Sequence, residues 1–101
     1  MAHIVSNELF VADDDVQAFE DNFSASMKGT LGDVPGLLGA RLLRPLTAGS
    51  GYLSVLAFED EAAYEAYLTS EAFAAAHNWP EHAPFERSRL TTYETMFVLG
   101  D

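Results

Sequence analysis

No cysteine occurs among the 101 residues, so disulfides, thiolate metal ligands and cysteine nucleophiles are excluded, while the redox compartment stays undetermined. Basic residues are scarce: 5 Lys and Arg stand against 16 Asp and Glu, a formal net charge of −11. Such a chain repels phosphate backbones and anionic lipid surfaces, so neither nucleic acid nor a membrane is expected as a partner. No apolar run approaches the roughly 18 residues that a membrane span needs. The opening "MAHIVSNELF" has neither a basic segment nor a small-residue cleavage site, so it reads as a strand and not as an export signal, which implies a cytoplasmic address. A Gly-rich phosphate loop, a serine elbow and a basic aromatic strip for single-stranded nucleic acid are also missing, and those classes are set aside.

What is present is a globular composition, 49% hydrophobic and 21% charged, in a length that suits one domain, 1–101, with one two-layer core. The acidic residues cluster in "DDDVQAFEDNF" and "FEDEAAYEAY", where a solvated helix face is the simple reading.

Residues 3–11 alternate, with Val5, Asn7, Leu9 and Val11 on one face and Ile4, Ser6, Glu8 and Phe10 on the other, as in a strand. "DDD" at 13–15 offers an N-cap beside the positive helix end. Val16, Phe19, Phe23 and Met27 follow at helical spacing, which predicts a helix ending near Gly29 to Gly32. "LLGARLLRPL" and "YLSVLAFED" flank the glycine-containing "TAGSG" and read as a hairpin, with Pro45 at a strand end. "EDE" at 59–61 opens a second helical region, and Thr69 and Ser70 before Glu71 look like a break and a fresh N-cap. Residues 78–89 carry two prolines and no period, which predicts a long loop holding Arg87 and Arg89; "LTTYETMFVLG" is then the last strand.

Strand, helix, strand, strand, helix, strand is the α+β order of a ferredoxin-like βαββαβ sandwich. Two helices cover one face of a four-stranded sheet, yet the last two strands are apolar on both: Leu53 and Val55 against Leu56 and Phe58, and Met96 and Val98 against Tyr93, Phe97 and Leu99. A bare face larger than the roughly 300–600 Å² of a typical monomer's largest patch would aggregate. A second copy of the chain is the simplest cover, so a homodimer is expected.

Two polar residues stand out. Asn7 is an amide in the middle of an apolar face, which needs either backbone partners or something polar in a cavity. His77 ends the run "SEAFAAAH"; on a helix it lies about 40° from Phe73, and the neighbouring alanines leave room for a flat group. The simpler alternatives are a satisfied core amide and a histidine favoured by the helix dipole. Tyr67 precedes His77 by ten residues, and a break at Thr69 and Ser70 would bring both to one rim. Glu81 and His82 do not complete a zinc site with His77, since the two histidines are separated across "NWP".

Asn7 on the first strand, "VPGLLGARLLRP" and "FEDEAAYEAYLTSEAFAAAH", taken in this element order, resemble the antibiotic biosynthesis monooxygenase superfamily of dimeric α+β barrels. Within it they are similar to the heme-degrading branch. The resemblance implies that His77 is the proximal ligand of heme iron, that Asn7 hydrogen-bonds on the distal side, and that Phe23, with Phe73, lines the heme pocket. In the heme-degrading members a tryptophan ten residues before the histidine buckles the porphyrin; Tyr67 stands there in this chain. The implied activity is a monooxygenase that opens heme, both cofactor and substrate, using O2 and an external electron donor, with Asn7 and Tyr67 as catalytic residues and no separate metal. The alternatives within the resemblance are a cofactor-free oxygenase of quinol-like aromatics and a non-enzymatic binder of heme or another small molecule.

Overall fold

The computed structural model describes residues 2–70, 73 and 87–100. Strands β1 (His3–Phe10), β2 (Leu37–Leu43), β3 (Tyr52–Phe58) and β4 (Arg87–Glu94) form one antiparallel sheet in the order β2-β3-β1-β4, with helices α1 (Val16–Thr30) and α2 (Glu61–Leu68). This is the ferredoxin-like α+β arrangement expected from the alternation of strand and helix periods.

The inner face of β1 carries Val5, Asn7 and Leu9, as the alternation requires, and two core clusters form at its two ends. Val5 joins Phe58 and Tyr67, with Tyr64 and Phe73 packed alongside; Leu9 joins Phe19 and Tyr52, with Phe23 packed alongside. Leu9, Phe19 and Phe58 are completely buried, each worth roughly 1.5–3 kcal/mol of removal from water. Because α1 supplies one cluster and α2 the other, a seam crosses the sheet between them. Asn7 lies on that seam.

Local chemistry sets the helix ends. Asp60 caps α2 by accepting a hydrogen bond from the Ala63 amide at 2.9 Å, the favourable use of an acidic N-cap. The run Asp13–Asp15 acts differently from the expected cap: it forms a short 3₁₀ turn, and Asp15 makes no side-chain cap to α1. Ser70 behaves as the expected fresh N-cap, since its Oγ accepts from the Phe73 amide at 3.1 Å. On the far side of the sheet's core, Arg44 grips Glu20 of α1 with two hydrogen bonds of 2.7 and 2.8 Å, and the Tyr52 hydroxyl donates to the same carboxylate.

The last strand departs from the sequence expectation. β4 begins at Arg87 and ends at Glu94, so Met96, Phe97, Val98 and Leu99 lie outside the sheet and are exposed. The reason is the partner strand: β1 pairs with β4 only as far as His3 opposite Glu94, followed by one last bond from the Thr95 amide to the Ala2 carbonyl. A strand needs a neighbour's backbone groups, and among the described residues β1 offers none to residues 96–99. The two-faced argument therefore holds for β3 and fails for β4. Arg89 likewise belongs to β4 and not to a loop, opposite Glu8 on the outer face.

Candidate functional site

The seam between the two core clusters is a cavity of about 270 Å³, near the lower end of the roughly 300–1,000 Å³ common for small-molecule sites. Its floor is the sheet: Val5 and Asn7 from β1, Ser54 and Leu56 from β3, Ser88 and Leu90 from β4. One wall is α1, through Phe23, Ser26, Met27, Thr30 and Leu31. The other is α2 and the turn after it, through Tyr64, Tyr67, Leu68 and Phe73.

Each wall follows from helix geometry. Phe23, Ser26, Met27 and Thr30 stand at i, i+3, i+4 and i+7, one stripe of α1. Phe19, a turn earlier, is in the core, and Phe23 stacks on it with centroids 5.1 Å apart before turning its other side to the cavity. Tyr67 is 4% exposed; its ring meets Phe58 at 5.5 Å and takes the edge-on contact of Phe73 at 5.5 Å, the arrangement that aromatic quadrupoles favour. Tyr64 packs on His3 at 5.2 Å and on Phe58 at 5.4 Å.

Asn7 is the polar centre. Its Oδ1 is sealed from solvent and has no hydrogen-bond partner among the described residues, a condition that costs roughly 1–3 kcal/mol and calls for an explanation. Burial raises the pKa of both Tyr64 and Tyr67, with the neighbouring Tyr64 adding to the effect on Tyr67. Their hydroxyls therefore remain protonated donors across the neutral range.

The structure brings together Asn7, Phe23, Tyr67 and Phe73, four of the five residues singled out from the sequence. The fifth, His77, lies outside the described residues, as do Glu81 and His82. Met27, on the same apolar stripe of α1 as Phe23, lines the cavity as well. Ser26, Ser54, Thr30 and Tyr64 went unread: the α1 pair shares the Phe23 stripe, and Tyr64 is one turn before Tyr67, so helical spacing alone could have found these three. Ser54 required the strand register.

The described lining residues fit a flat apolar group. Aromatic rings and aliphatic side chains form the walls, and one unpartnered amide faces the space between them. None of the described lining residues is Asp, Glu, Lys or Arg.

Residues 2–79 match the family model for antibiotic biosynthesis monooxygenase. Among solved structures, the chain is similar to the heme-degrader MhuD from Mycobacterium tuberculosis with two hemes bound in its active site. The identity is 23%, with 97% of this chain and 99% of that chain covered, at a TM-score of 0.82. It is also similar to a conserved protein from Methanosarcina mazei (16% identity, 95% and 94% covered, TM-score 0.77). A third likeness is to a mutant of SnoaB, a cofactor-independent oxygenase from Streptomyces nogalater (16% identity, 99% and 98% covered, TM-score 0.72). None of the curated proteins matches the chain in sequence.

Proposed function

The chain belongs to the antibiotic biosynthesis monooxygenase family, and on that premise we propose that it is a heme-degrading monooxygenase working in a homodimer. The observation that carries this reading is the unpartnered amide of Asn7, set among Phe23, Tyr67 and Phe73 at the centre of an apolar cavity. MhuD, which shares the fold, holds heme in its active site, and that supports the choice of ligand.

His77 would hold the iron, and the rings of Phe23 and Phe73 would bracket the macrocycle. Heme, when bound, supplies the redox-active iron and is itself the molecule oxidised, with electrons from an external donor and O2 as the oxidant. The chain's own residues supply the rest. Asn7 donates from Nδ2 into the cavity and so orients a polar group there, a bond worth roughly 0.5–1.5 kcal/mol. Tyr67 and Tyr64 remain protonated and present hydroxyl donors. The aliphatic side chains of Val5 and Leu56 beside Asn7 keep water from competing for that amide. Tyr67 stands where heme-degrading members carry tryptophan, and a smaller ring crowds the macrocycle less, so slow turnover follows.

A specific observation favours a second reading. The described lining bears the hydroxyls of Ser26, Thr30, Ser54, Ser88, Tyr64 and Tyr67 and no charge, which suits a neutral oxygenated aromatic such as a quinol. Cofactor-independent oxygenation, the property of SnoaB, would then be the activity.

A hemin titration followed in the visible region separates the two. About one heme per chain, lost in His77→Ala, is the expected result, with Asn7→Ala retaining heme. With ascorbate, O2 and catalase present, the Soret band should decay slowly, and faster in Tyr67→Trp. A wild-type spectrum equal to that of free hemin would remove the heme reading and leave the quinol oxygenase.

A further inference from the structure

Asn7 Oδ1 is the cavity's unexplained atom, and the strand register shows which polar side chain stands opposite it. On the inner face, Asn7 is flanked along β1 by the apolar Val5 and Leu9. Across the sheet it stands directly opposite Leu90 of β4 on one side and Ser54 of β3 on the other. Ser54 is therefore the one polar side chain directly opposite it. Directly opposite residues have Cβ atoms about 4.5–5.5 Å apart, within reach of a hydroxyl-to-amide hydrogen bond, whereas diagonal neighbours such as Ser88 are about 7–8 Å away.

Ser54 has the burial that such a role needs. It is 8% exposed and lines the same cavity, its other cross-strand neighbour is Leu42, and its hydroxyl has no hydrogen-bond partner among the described residues. The sealed Asn7 Oδ1 is a cost that one bond from a neighbouring hydroxyl removes. No hydrogen bond joins them in this structure; a turn of Ser54 about χ1 from one staggered well to another is the movement required.

An amide's oxygen and nitrogen ends have nearly the same shape, so packing alone does not decide which end faces a ligand. A hydrogen-bond partner does. We propose that Ser54 is the positioning residue for Asn7. Its hydroxyl donates to Asn7 Oδ1 and accepts nothing from it, which holds the amide with Nδ2 directed into the cavity as a donor. The cavity thereby has a fixed polarity at its centre and selects a ligand that presents an acceptor there. The assignment of the ligand as heme rests on the function proposed above; the Ser54–Asn7 bond does not.

The test uses the whole chain and begins without ligand. Asn7, Asn22, Asn78 and Gln17 are the chain's amide side chains, so the side-chain NH2 region of a ¹H–¹⁵N spectrum is uncluttered and the Asn7 pair is identified by its loss in Asn7→Leu. Ser54→Ala should move that pair. Ser54→Thr and Ser54→Val, equal in shape, differ only in the hydroxyl, so the pair should return towards its wild-type position in Thr and stay displaced in Val. Thr and Val variants with the same Asn7 signal, or an unmoved signal in the folded Ala variant, would overturn the assignment. In a second arm, hemin affinity should fall about two- to tenfold in Ser54→Ala and Ser54→Val and recover in Ser54→Thr. If wild-type protein binds no hemin, the heme reading fails and the spectra of the free protein still decide the role of Ser54.

Discussion

Replacing Gly36 by alanine tests how the fold holds α2, and with it Tyr64 and Tyr67, against the sheet. Gly36 has φ of +79°, and a Cβ built there would lie 2.5 Å from the Ala63 Cβ on α2. The same turn is tied to the residue after β3 by a 2.8 Å hydrogen bond from the Glu59 amide to the Gly36 carbonyl, so the backbone has little freedom to retreat. Two costs add: roughly 1–2 kcal/mol for an L-residue in the left-handed region, and roughly 1–3 kcal/mol for the overlap. The sum, about 2–5 kcal/mol, corresponds to a fall in Tm of about 10 °C or more, at about 4–8 °C per kcal/mol for a domain of this size. Thermal unfolding followed by circular dichroism measures it. Adding Ala63→Gly removes the overlapping methyl while keeping the φ cost and adding about 0.5–1 kcal/mol for a helical glycine, so the pair should couple favourably by about 1–3 kcal/mol. Gly29→Ala is the control: nothing lies within 4 Å of a Cβ there, and the change should stabilise α1 by about 0.5–1 kcal/mol. Additive Gly36 and Ala63 effects, or a Gly36→Ala Tm within a few degrees of wild type, would refute the close approach.

Light scattering should report about twice the 11.0 kDa chain mass, because Leu38, Leu43, Val55 and Ala57 line the outer sheet face that the helices leave uncovered. Val55→Glu should yield monomer, and a monomeric wild type at micromolar concentration would overturn the barrel. Acid should act partly through Glu20, whose pKa is lowered to about 2 by its hydrogen bonds to Arg44 and Tyr52. A carboxylate depressed in the folded state contributes stability that is complete above its unfolded value near 4.5 and is lost as pH falls towards 2. Glu20→Gln should accordingly flatten the stability profile between about pH 5 and 2, measured by urea unfolding, and an unchanged profile would show that the Arg44 clamp is absent in solution.

Most of the fold was legible because its determinants are local and periodic. The alternation of β1, the apolar stripe of α1 and the break at Ser70 each state a dihedral preference that the tertiary structure then uses. The end of β4 was not legible for a complementary reason. "MFVL" has strong strand character, yet whether a segment is a strand depends on a partner's backbone, and among the described residues β1 supplies none beyond Ala2. Asn7 could be singled out because an amide between Val5 and Leu9 breaks its own pattern. Ser54, in "YLSVLAF", breaks nothing that sequence alone can weigh; its meaning comes from standing opposite Asn7, a pairing between residues 47 apart in the chain.

The distribution of charge bears on both readings of the site. The net charge of −11 acts over the whole molecule, while the described cavity wall carries none of it. The acidic excess therefore governs how an anionic ligand approaches and not how it is held, since exposed charges beyond about 8–10 Å are screened at physiological salt. Inside, the discriminating features are neutral: an amide with one end sealed, two protonated tyrosines, and hydroxyls on three sides. A ligand selected by such a site is recognised by its flat apolar body and by where its acceptor lies. Heme meets that description with its carboxylates turned away from the cavity, and a quinol meets it entirely within. Salt dependence of association and hydroxyl dependence of affinity thus report on different parts of the ligand, and the first belongs to heme alone.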